Sequence, residues 1–572
     1  MAKALPDEMQ DLLAFCGDAA RYYGEVGRHS YVRPTPTLQY ASHALQIIAA
    51  NVAGGQKGQT MSFQLAKQLQ ITHTQLNIVG FAGNGEFALT DYDVLALIEW
   101  AAGVYSSGPF WGRIVDLRGP QILLVSAFAL LLTGYSGIRY IYDSGVPEAS
   151  TTVSTLTFSL LVLCSFMTGA GGNGGLTSAV NSTAKTFPDK ARATATGIVL
   201  SGFGLSAFLF STVSRVQFAG NTSSFILLLA LGTSIPMVFG FFFVRPIPLP
   251  PIDPVSGVEH GESSENPEES EENRALLAQA VIPDAPVRLS RRAALSQGLL
   301  PNVYGVKLFA STDFWLLFII LSLLSGTGLM FINNVGSMSQ ALYAKSTAIY
   351  NPIEAARWQA DQVSAISLLN CAGRIFIGLV SDYAKLTFDL PRSYSLVIAS
   401  TLFFISQILA ANIDDIQNLW MASTMLGLAH GSVFAIFPNV CIEWFGLRKS
   451  SGILIRILSL TVTLFLSLAA HFSENWGYLG ISPIIAGNLF SVVFGLTLDK
   501  HDQRPTESST VLVSDATQCV LGRQCYVDAL HLTTGSCFLA LVLSVWASWR
   551  DRRKLAASSK RRNEAVWENN EE

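Results

Sequence analysis

The feature that most constrains the fold of this chain is a series of ten long apolar runs that contain few charged residues. A helix needs roughly 20 residues to cross a hydrocarbon core of about 30 Å, and most of the runs reach that length. The runs are 119–142, 153–179, 195–213 and 225–244, followed after a break by 314–341, 363–380, 394–411, 419–445, 478–498 and 532–549. The sequence therefore predicts an all-α polytopic membrane protein.

Composition excludes several other classes of protein. Half of the 572 residues are hydrophobic and only 14% are charged, which is too apolar for a soluble globular chain. The net charge of −4 gives no basic surface of the kind that binds nucleic acid. Because the composition is so apolar, the lipid bilayer is the expected partner. The cysteines and histidines show no metal-binding spacing, and no hydrolase motif is present, so we expect no metal, no cofactor and no enzymatic activity.

The two groups of runs are separated by a segment rich in Pro, Ser and Glu, which cannot bury enough apolar surface to fold. We therefore divide the chain into a cytosolic N-terminus with a degraded first helix (1–61), a first helical half (62–245), a disordered acidic linker (246–310), a second helical half (311–549) and a tail (550–572). Lys and Arg fall on alternate loops, which predicts that both termini and the linker are cytosolic.

The opposite loops carry two features of a lumenal or external face. One is the sequon that begins at Asn221, a candidate glycosylation site. The other is the pair Cys519 and Cys525, which would suit a disulfide.

A Gly-x-x-x-Asp pattern occurs once in each half, at Gly112 to Asp116 and at Gly378 to Asp382. The glycine would let a neighbouring helix approach closely. The aspartate could accept backbone amides, or pair with Arg118 or Arg374 across a gate. A single copy would be ordinary turn chemistry, but two copies at matching places indicate an internal repeat.

The first half contains the motifs AGNG (82–85), VYSSGPFWGRIVDLRGPQ (104–121) and GAGGNGGLTSAVNSTAKTFPDKARATATG (169–197). The second contains FINNVGSMSQAL (331–342), NCAGRIFIGLVSD (370–382) and HFSENWGYLGISP (471–483). Together they resemble the fungal nodulin-like, monocarboxylate-permease-homologue group of the major facilitator superfamily. The resemblance implies a major-facilitator fold of two six-helix halves, transport activity and residence in the vacuolar membrane more than in the plasma membrane.

The chain departs from this group at three places. Residues 86–103 and 448–469 separate motifs that directly follow one another in the group. Both inserts could be short introns that were read through in the gene model, and the alternative is genuine insertion. The first helix, expected just before residue 62, is short and polar here.

Polar side chains inside membrane helices are costly to bury unless they face a partner or a water-filled cavity. The candidates for the substrate cavity are Asn173, Asn334, Asn370, Asn439 and Glu443. Glu443 could be a proton-coupling carboxylate, or an interface residue because Trp444 and Gly446 follow it. No Arg or Lys is expected securely at the middle of a helix. The glycines of 169–174 also fit a dinucleotide pattern, but they lie within an apolar run, which favours helix packing.

The linker holds Glu272 followed by Leu276 and Leu277, which resembles an acidic dileucine signal read by a sorting adaptor. Taken together, the sequence predicts a secondary transporter that moves a small solute, with or without protons, by alternating access. The alternative is a membrane sensor of the same fold that binds solute without net transport.

Overall fold

The computed structural model describes residues 103–145, 154–218, 221–244, 303–347, 351–446, 471–500, 519 and 521–571. The degraded first helix, almost all of the insertion at 86–103, the insertion at 448–469 and the sorting signal at Glu272, Leu276 and Leu277 lie outside these residues.

The described residues form helices in both halves. In the first half these are α1 (Gly103–Ser106), α2 (Gly108–Arg118), α3 (Pro120–Ser144), α4 (Thr155–Thr186), α5 (Arg192–Gln217) and α6 (Thr222–Phe243). In the second half they are α7 (Val306–Phe309), α8 (Thr312–Ser346), α9 (Pro352–Phe388), α10 (Ser393–Asn412), α11 (Leu419–Phe445), α12 (Phe472–Leu479), α13 (Ser482–Lys500) and α14 (Val527–Glu571).

Ten stretches of the described helices are long and apolar enough to cross a membrane, from Pro120–Ser144 to Val527–Ala557. Each overlaps one of the ten apolar runs, so the predicted spans are confirmed. Two differ in detail from the prediction. The span at 478–498 is preceded by the short helix α12 and begins after a break at Gly480. The residues after Trp549 continue α14 as helix, because Ala, Arg, Lys, Glu and Leu in this stretch are strong helix formers.

Each half has its own core. In the first half α3 packs against α4 and α6, through side chains such as Leu124, Tyr135 and Ile226. In the second half α9 packs against α11, α8 against α13, and α10 against α11 and α14. Glycines permit the closest approach: a Cβ on Gly431 of α11 would overlap the backbone carbonyl oxygen of Asn370 on α9.

The two halves meet through two main helix pairs, α2 with α12 and α5 with α9. Here α5 is the third helix after α2, and α12 is the third helix after α9. In each half, the helix with the Gly-x-x-x-Asp pattern therefore contacts a helix of the other half, and the two contacted helices hold corresponding places in their halves. We call the side of the molecule where α2 and α9 end the linker face, because α6 also ends there and α8 begins there.

Candidate functional site

The first contact between the halves is built on Asp116, near the end of α2. One carboxylate oxygen accepts hydrogen bonds from the backbone N–H groups of Ser473 (2.8 Å) and Glu474 (3.1 Å), at the start of α12. The other accepts from Nδ2 of Asn181 on α4 (2.7 Å), which also donates to Oγ of Ser473 (2.6 Å). A carboxylate at a helix N-terminus satisfies orphan donors and complements the helix dipole. We call Gly112, Asp116, Asn181, Ser473 and Glu474 the first interlock.

Gly112 is required for this approach. A Cβ at this position would overlap the backbone of Ser473, and one on Gly477 of α12 would overlap the backbone of Gly108. A side chain at either glycine would therefore push α2 and α12 apart, and Asp116 would lose its backbone donors.

The second contact repeats this arrangement with the roles of the halves exchanged. Asp382 near the end of α9 accepts from the backbone N–H groups of Ala193 (3.3 Å) and Thr194 (2.7 Å) and from Oγ1 of Thr194 (2.7 Å), at the start of α5. A Cβ on Gly378 would lie 2.7 Å from the carbonyl oxygen of Ala193. Arg392 adds an ion pair to Asp382 at 2.9 Å. We call Gly378, Asp382, Ala193, Thr194 and Arg392 the second interlock.

A network of charges surrounds the second interlock. Asp189, in the loop between α4 and α5, pairs with Lys385 at 2.8 Å and with Arg192 at 3.0 Å, and its backbone carbonyl accepts from Arg392. Lys385 also pairs with Glu443 at 2.5 Å, and Glu443 accepts from the backbone N–H of Arg392. Partial burial on its own would raise the pKa of Asp189, but the bound Lys385 and the two arginines hold that pKa below its ordinary value.

Glu443 therefore lies at the linker face, where it joins the charges of α9 and the loop that follows. The structure does not place it beside the asparagines that the sequence predicted for a substrate cavity. Its position corresponds to the other alternative from the sequence, an interface residue.

The expected pairing of the aspartates with Arg118 or Arg374 is not what the structure shows. Arg118 is exposed, and the cations beside the aspartates are Lys185, at 3.8 Å from Asp116, and Arg392. Arg374 lies eight residues before Asp382 on α9, near the midpoint of the span Arg357–Phe388. The expectation that no basic residue occupies the middle of a helix is therefore wrong.

Arg374 connects the halves at mid-depth. Its guanidinium donates to the carbonyl oxygen of Leu200 on α5 (2.7 Å) and lies 4.4 Å from the ring centre of Phe203. Within the second half it donates to Oδ1 of Asn370 (3.1 Å), whose Nδ2 lies 3.4 Å from Nδ1 of His430 on α11. All three polar side chains are buried. Sequence reasoning missed His430 because a lone histidine carries no pattern.

The other candidate asparagines lie apart from Asn370. Asn173 on α4 donates to Oγ of Ser107 (3.1 Å) and to the carbonyl oxygen of Val104, so it holds α1 against α4. Asn334 and Asn439 each donate to a carbonyl oxygen one turn earlier on their own helix, and Asn334 is half-buried.

Two features lie on the opposite face. Cys519 and Cys525 form a disulfide. Within that loop Arg523 pairs with Asp414 and donates to the carbonyl oxygen of Ala411, which joins it to the end of α10. Asn221 is exposed and serves as the N-cap of α6, accepting from the backbone N–H of Ser224 at 3.0 Å.

Comparison with known proteins identifies fungal relatives in sequence. An uncharacterized membrane protein of Saccharomyces cerevisiae is 31% identical over 28% of this chain and 32% of its own length. Probable transporters named MCH1 match at 24% identity in Wickerhamomyces anomalus, over 37% of each chain, and at 23% in Gibberella zeae, over 42% of this chain and 41% of the relative. The chain thus matches about a third to two fifths of the length of these curated relatives.

Among solved structures, the transporter FucP in its outward conformation covers 88% of this chain and 98% of its own, with 11% identity and a TM-score of 0.42. A single-residue variant of FucP, the fucose:proton symporter of Escherichia coli, covers 89% and 99%, with 12% identity and a TM-score of 0.45.

The family assignment rests on the longest of the matches in sequence. Residues 58–443 match the family described as the Major Facilitator Superfamily, which is a family of transporters and not of enzymes. This multi-pass integral membrane protein belongs to the Major Facilitator Superfamily.

Proposed function

We propose that this protein is a secondary transporter that carries a small solute between its two halves by alternating access. The observation that carries the proposal is the pair of interlocks, which join the halves at one face through the same Gly and Asp pattern. All the hydrogen bonds between the halves described above lie at the linker face or at mid-depth. The arrangement fits a conformation that is closed toward the linker.

The contacts of both interlocks can be broken without unfolding either half. Asp116 and Asp382 accept from helix N-termini that water can solvate once the halves separate. Each half would keep most of its apolar core during such a motion, and of the described residues of the first half only Val180, Ala184 and Leu200 would leave the buried cluster of the second half. Rigid-body rocking of one half against the other would then open the linker face, as alternating access requires.

The interior of the helical halves around mid-depth, which we call the central layer, would hold the solute, with Asn173, Asn334 and Asn370 as the proposed polar contacts. Arg374 places a positive charge beside Asn370, so we expect a solute that carries a negative charge or a strong hydrogen-bond acceptor. Asn439 is a weaker candidate because it bonds to its own helix. Proton coupling is part of the proposal. If Glu443 exchanges the proton, it would do so at the linker face and not beside the solute.

The test is solute exchange in proteoliposomes that contain the purified protein and a mixture of isotope-labelled small metabolites. We expect the labelled solute to leave at a rate that changes in Asp116→Asn and in Asp382→Asn. Gly232→Ala is the matched control, because a Cβ there meets nothing within 4 Å. If a metabolite raises the unfolding temperature of the protein but no metabolite exchanges, the sensor alternative is the better account.

We further propose the vacuolar membrane as the location, reached through an adaptor that binds Glu272, Leu276 and Leu277. A fluorescent fusion of the full chain should label the vacuolar rim. Leu276→Ala with Leu277→Ala should redirect it to the cell surface, whereas Leu299→Ala with Leu300→Ala, another leucine pair in the same linker, should not. Unchanged vacuolar labelling of the first variant would rule out this signal.

A further inference from the structure

We infer that the linker-face end of α14 forms a binding surface for the headgroups of anionic phospholipids. The surface consists of Trp315 at the start of α8 together with Trp546, Trp549, Arg552 and Arg553 of α14, and we call it the basic-aromatic surface. It is separate from both interlocks and from the central layer.

The charges of this region are incompletely neutralised within the described residues. Asp313 pairs with both Arg550 (2.6 Å) and Lys554 (2.8 Å), so one carboxylate serves two cations. Asp551 is buried and accepts from the indole N–H of Trp444 at 2.7 Å. Arg552 and Arg553 are exposed, and neither belongs to an ion pair in the described part of the chain. A net positive charge therefore faces outward.

The aromatic side chains fix the depth of this charge. Trp315, Trp546 and Trp549 are each between 47% and 48% exposed, and the apolar run of α14 ends at Trp549. Tryptophan prefers the interface between hydrocarbon and headgroups. The guanidinium of Arg553 lies 3.7 Å from the ring centre of Trp549, which holds the cation at the same level.

Several basic residues that directly follow a membrane helix favour binding to anionic lipids. The sequence supplies Arg550, Arg552, Arg553 and Lys554 within five positions, and Lys560, Arg561 and Arg562 follow on the same helix. A phosphate on a lipid satisfies both requirements of the surface, because its acyl chains lie against the tryptophans while its charge meets the arginines. A free anion would use only the arginines.

The experiment is native mass spectrometry of the full chain in neutral detergent with equal amounts of phosphatidylserine and phosphatidylcholine. The wild type should retain phosphatidylserine in preference. Arg552→Gln with Arg553→Gln should weaken that binding about 20- to 30-fold, from a contribution near 1 kcal/mol for each charge. Arg552→Lys with Arg553→Lys should keep most of it. Unfolding temperatures establish that the variants are folded.

The matched control is Arg113→Gln with Lys190→Gln, which removes two exposed charges that lie outside the basic-aromatic surface. An equal loss in this control would show a general charge effect and overturn the proposed surface. Unchanged phosphatidylserine binding in Arg552→Gln with Arg553→Gln would also overturn it. Displacement of the lipid by inorganic phosphate at equal concentration would assign the surface to free anions instead.

Discussion

The two interlocks have the same backbone geometry but neutralise their buried aspartate differently. In both, a glycine lets the helices touch, and an aspartate four residues later accepts the N-terminal amides of a helix from the other half. Asp116 is otherwise held by the neutral amide of Asn181, and its nearest cation is 3.8 Å away. Asp382 is held by the guanidinium of Arg392 at 2.9 Å, within a wider network of charges.

This difference shows that the pairing of the helices and the neutralisation of the buried aspartate depend on different groups. The repeated part, a carboxylate on a helix N-terminus, fixes which helices meet and in what register. The part that differs sets how strongly each contact responds to mutation, salt and pH. The first interlock should depend on packing and neutral hydrogen bonds, and the second on paired charges.

The largest expected effect comes from Asp382→Asn. It would leave the side chain of Arg392, which is 1% exposed, without its nearer ion partner at 2.9 Å, and with only Asp189 at 3.7 Å. Breaking one partner of a buried pair costs about 3–5 kcal/mol. Asp116→Asn should cost the closed state less, about 1–3 kcal/mol, because one acceptor oxygen is replaced by an amide nitrogen that cannot accept from the buried donors, whereas no fully buried cation loses its partner.

The measurement for this pair is the distance between spin labels on Leu117→Cys and Phe388→Cys, two exposed positions at the ends of α2 and α9. Asp382→Asn should shift this distance to longer values more than Asp116→Asn does. Equal shifts would show that the charge network adds nothing to the second interlock.

The next effect tests packing. Gly112→Ala places a methyl group against the backbone of Ser473, whereas Gly378→Ala places one 2.7 Å from the carbonyl oxygen of Ala193. Overpacking of this kind costs about 1–3 kcal/mol. We expect both variants to open the linker face, measured by the distance between the same two spin labels. Gly112→Ala should lengthen that distance more than Gly378→Ala does. Gly495→Ala is the control, since a Cβ there meets nothing within 4 Å, and an equal opening in this control would contradict the argument.

An effect of similar size is expected from Asn181→Ala, which removes a neutral donor from the first interlock only. The lost hydrogen bond to Asp116, made by a donor that is fully buried, should cost about 1–3 kcal/mol. High salt should leave this variant and the first interlock unchanged, while it weakens the charges around Asp189. Spin-label distances with and without about 0.5 M salt, a range in which screening is strong, would reveal a salt-sensitive first interlock if the comparison is wrong.

The smallest effect concerns pH. The pKa of Asp189 is held below its ordinary value in the closed state. Its contribution to that state is therefore complete above about pH 4, the ordinary pKa of an aspartate, and is lost only as pH falls through the lower pKa of the closed state. Its side chain is 52% exposed, so that contribution is about 1 kcal/mol or less. Between about pH 5 and pH 8, Asp189→Asn should lower the closed population slightly and by a constant amount. A difference from wild type that changes across this range would contradict the assignment.

Sequence reasoning found the half of each interlock that repeats along the chain. Gly112, Asp116, Gly378 and Asp382 recur in register, and the ten apolar runs fixed the helices around them. Their partners were not predictable, because Ser473 and Thr194 contribute backbone amides, which carry no sequence signal. Arg392 and Asp189 lie in different halves, and only the folded chain brings them together.

The depth of two polar side chains could be read from the sequence, and for Arg374 it was overlooked. Residue 374 lies within three positions of the middle of both the predicted run 363–380 and the span Arg357–Phe388. Helix α11 ends at Phe445, where the predicted run 419–445 also ends, so Glu443 lies two positions from that end and at the linker face.

Val303 joins the end of α11 to the start of α12 and thereby fixes the directions in which the neighbouring spans cross the membrane. Its N–H donates to the carbonyl oxygen of Phe445 at 3.1 Å, and its own carbonyl oxygen accepts from Nδ2 of Asn475 at 2.9 Å. The end of α11 and the start of α12 therefore meet at one residue on one side of the molecule. The spans α11 and α13 therefore cross in opposite directions, and α14 ends at the linker face, as α6 and α11 do.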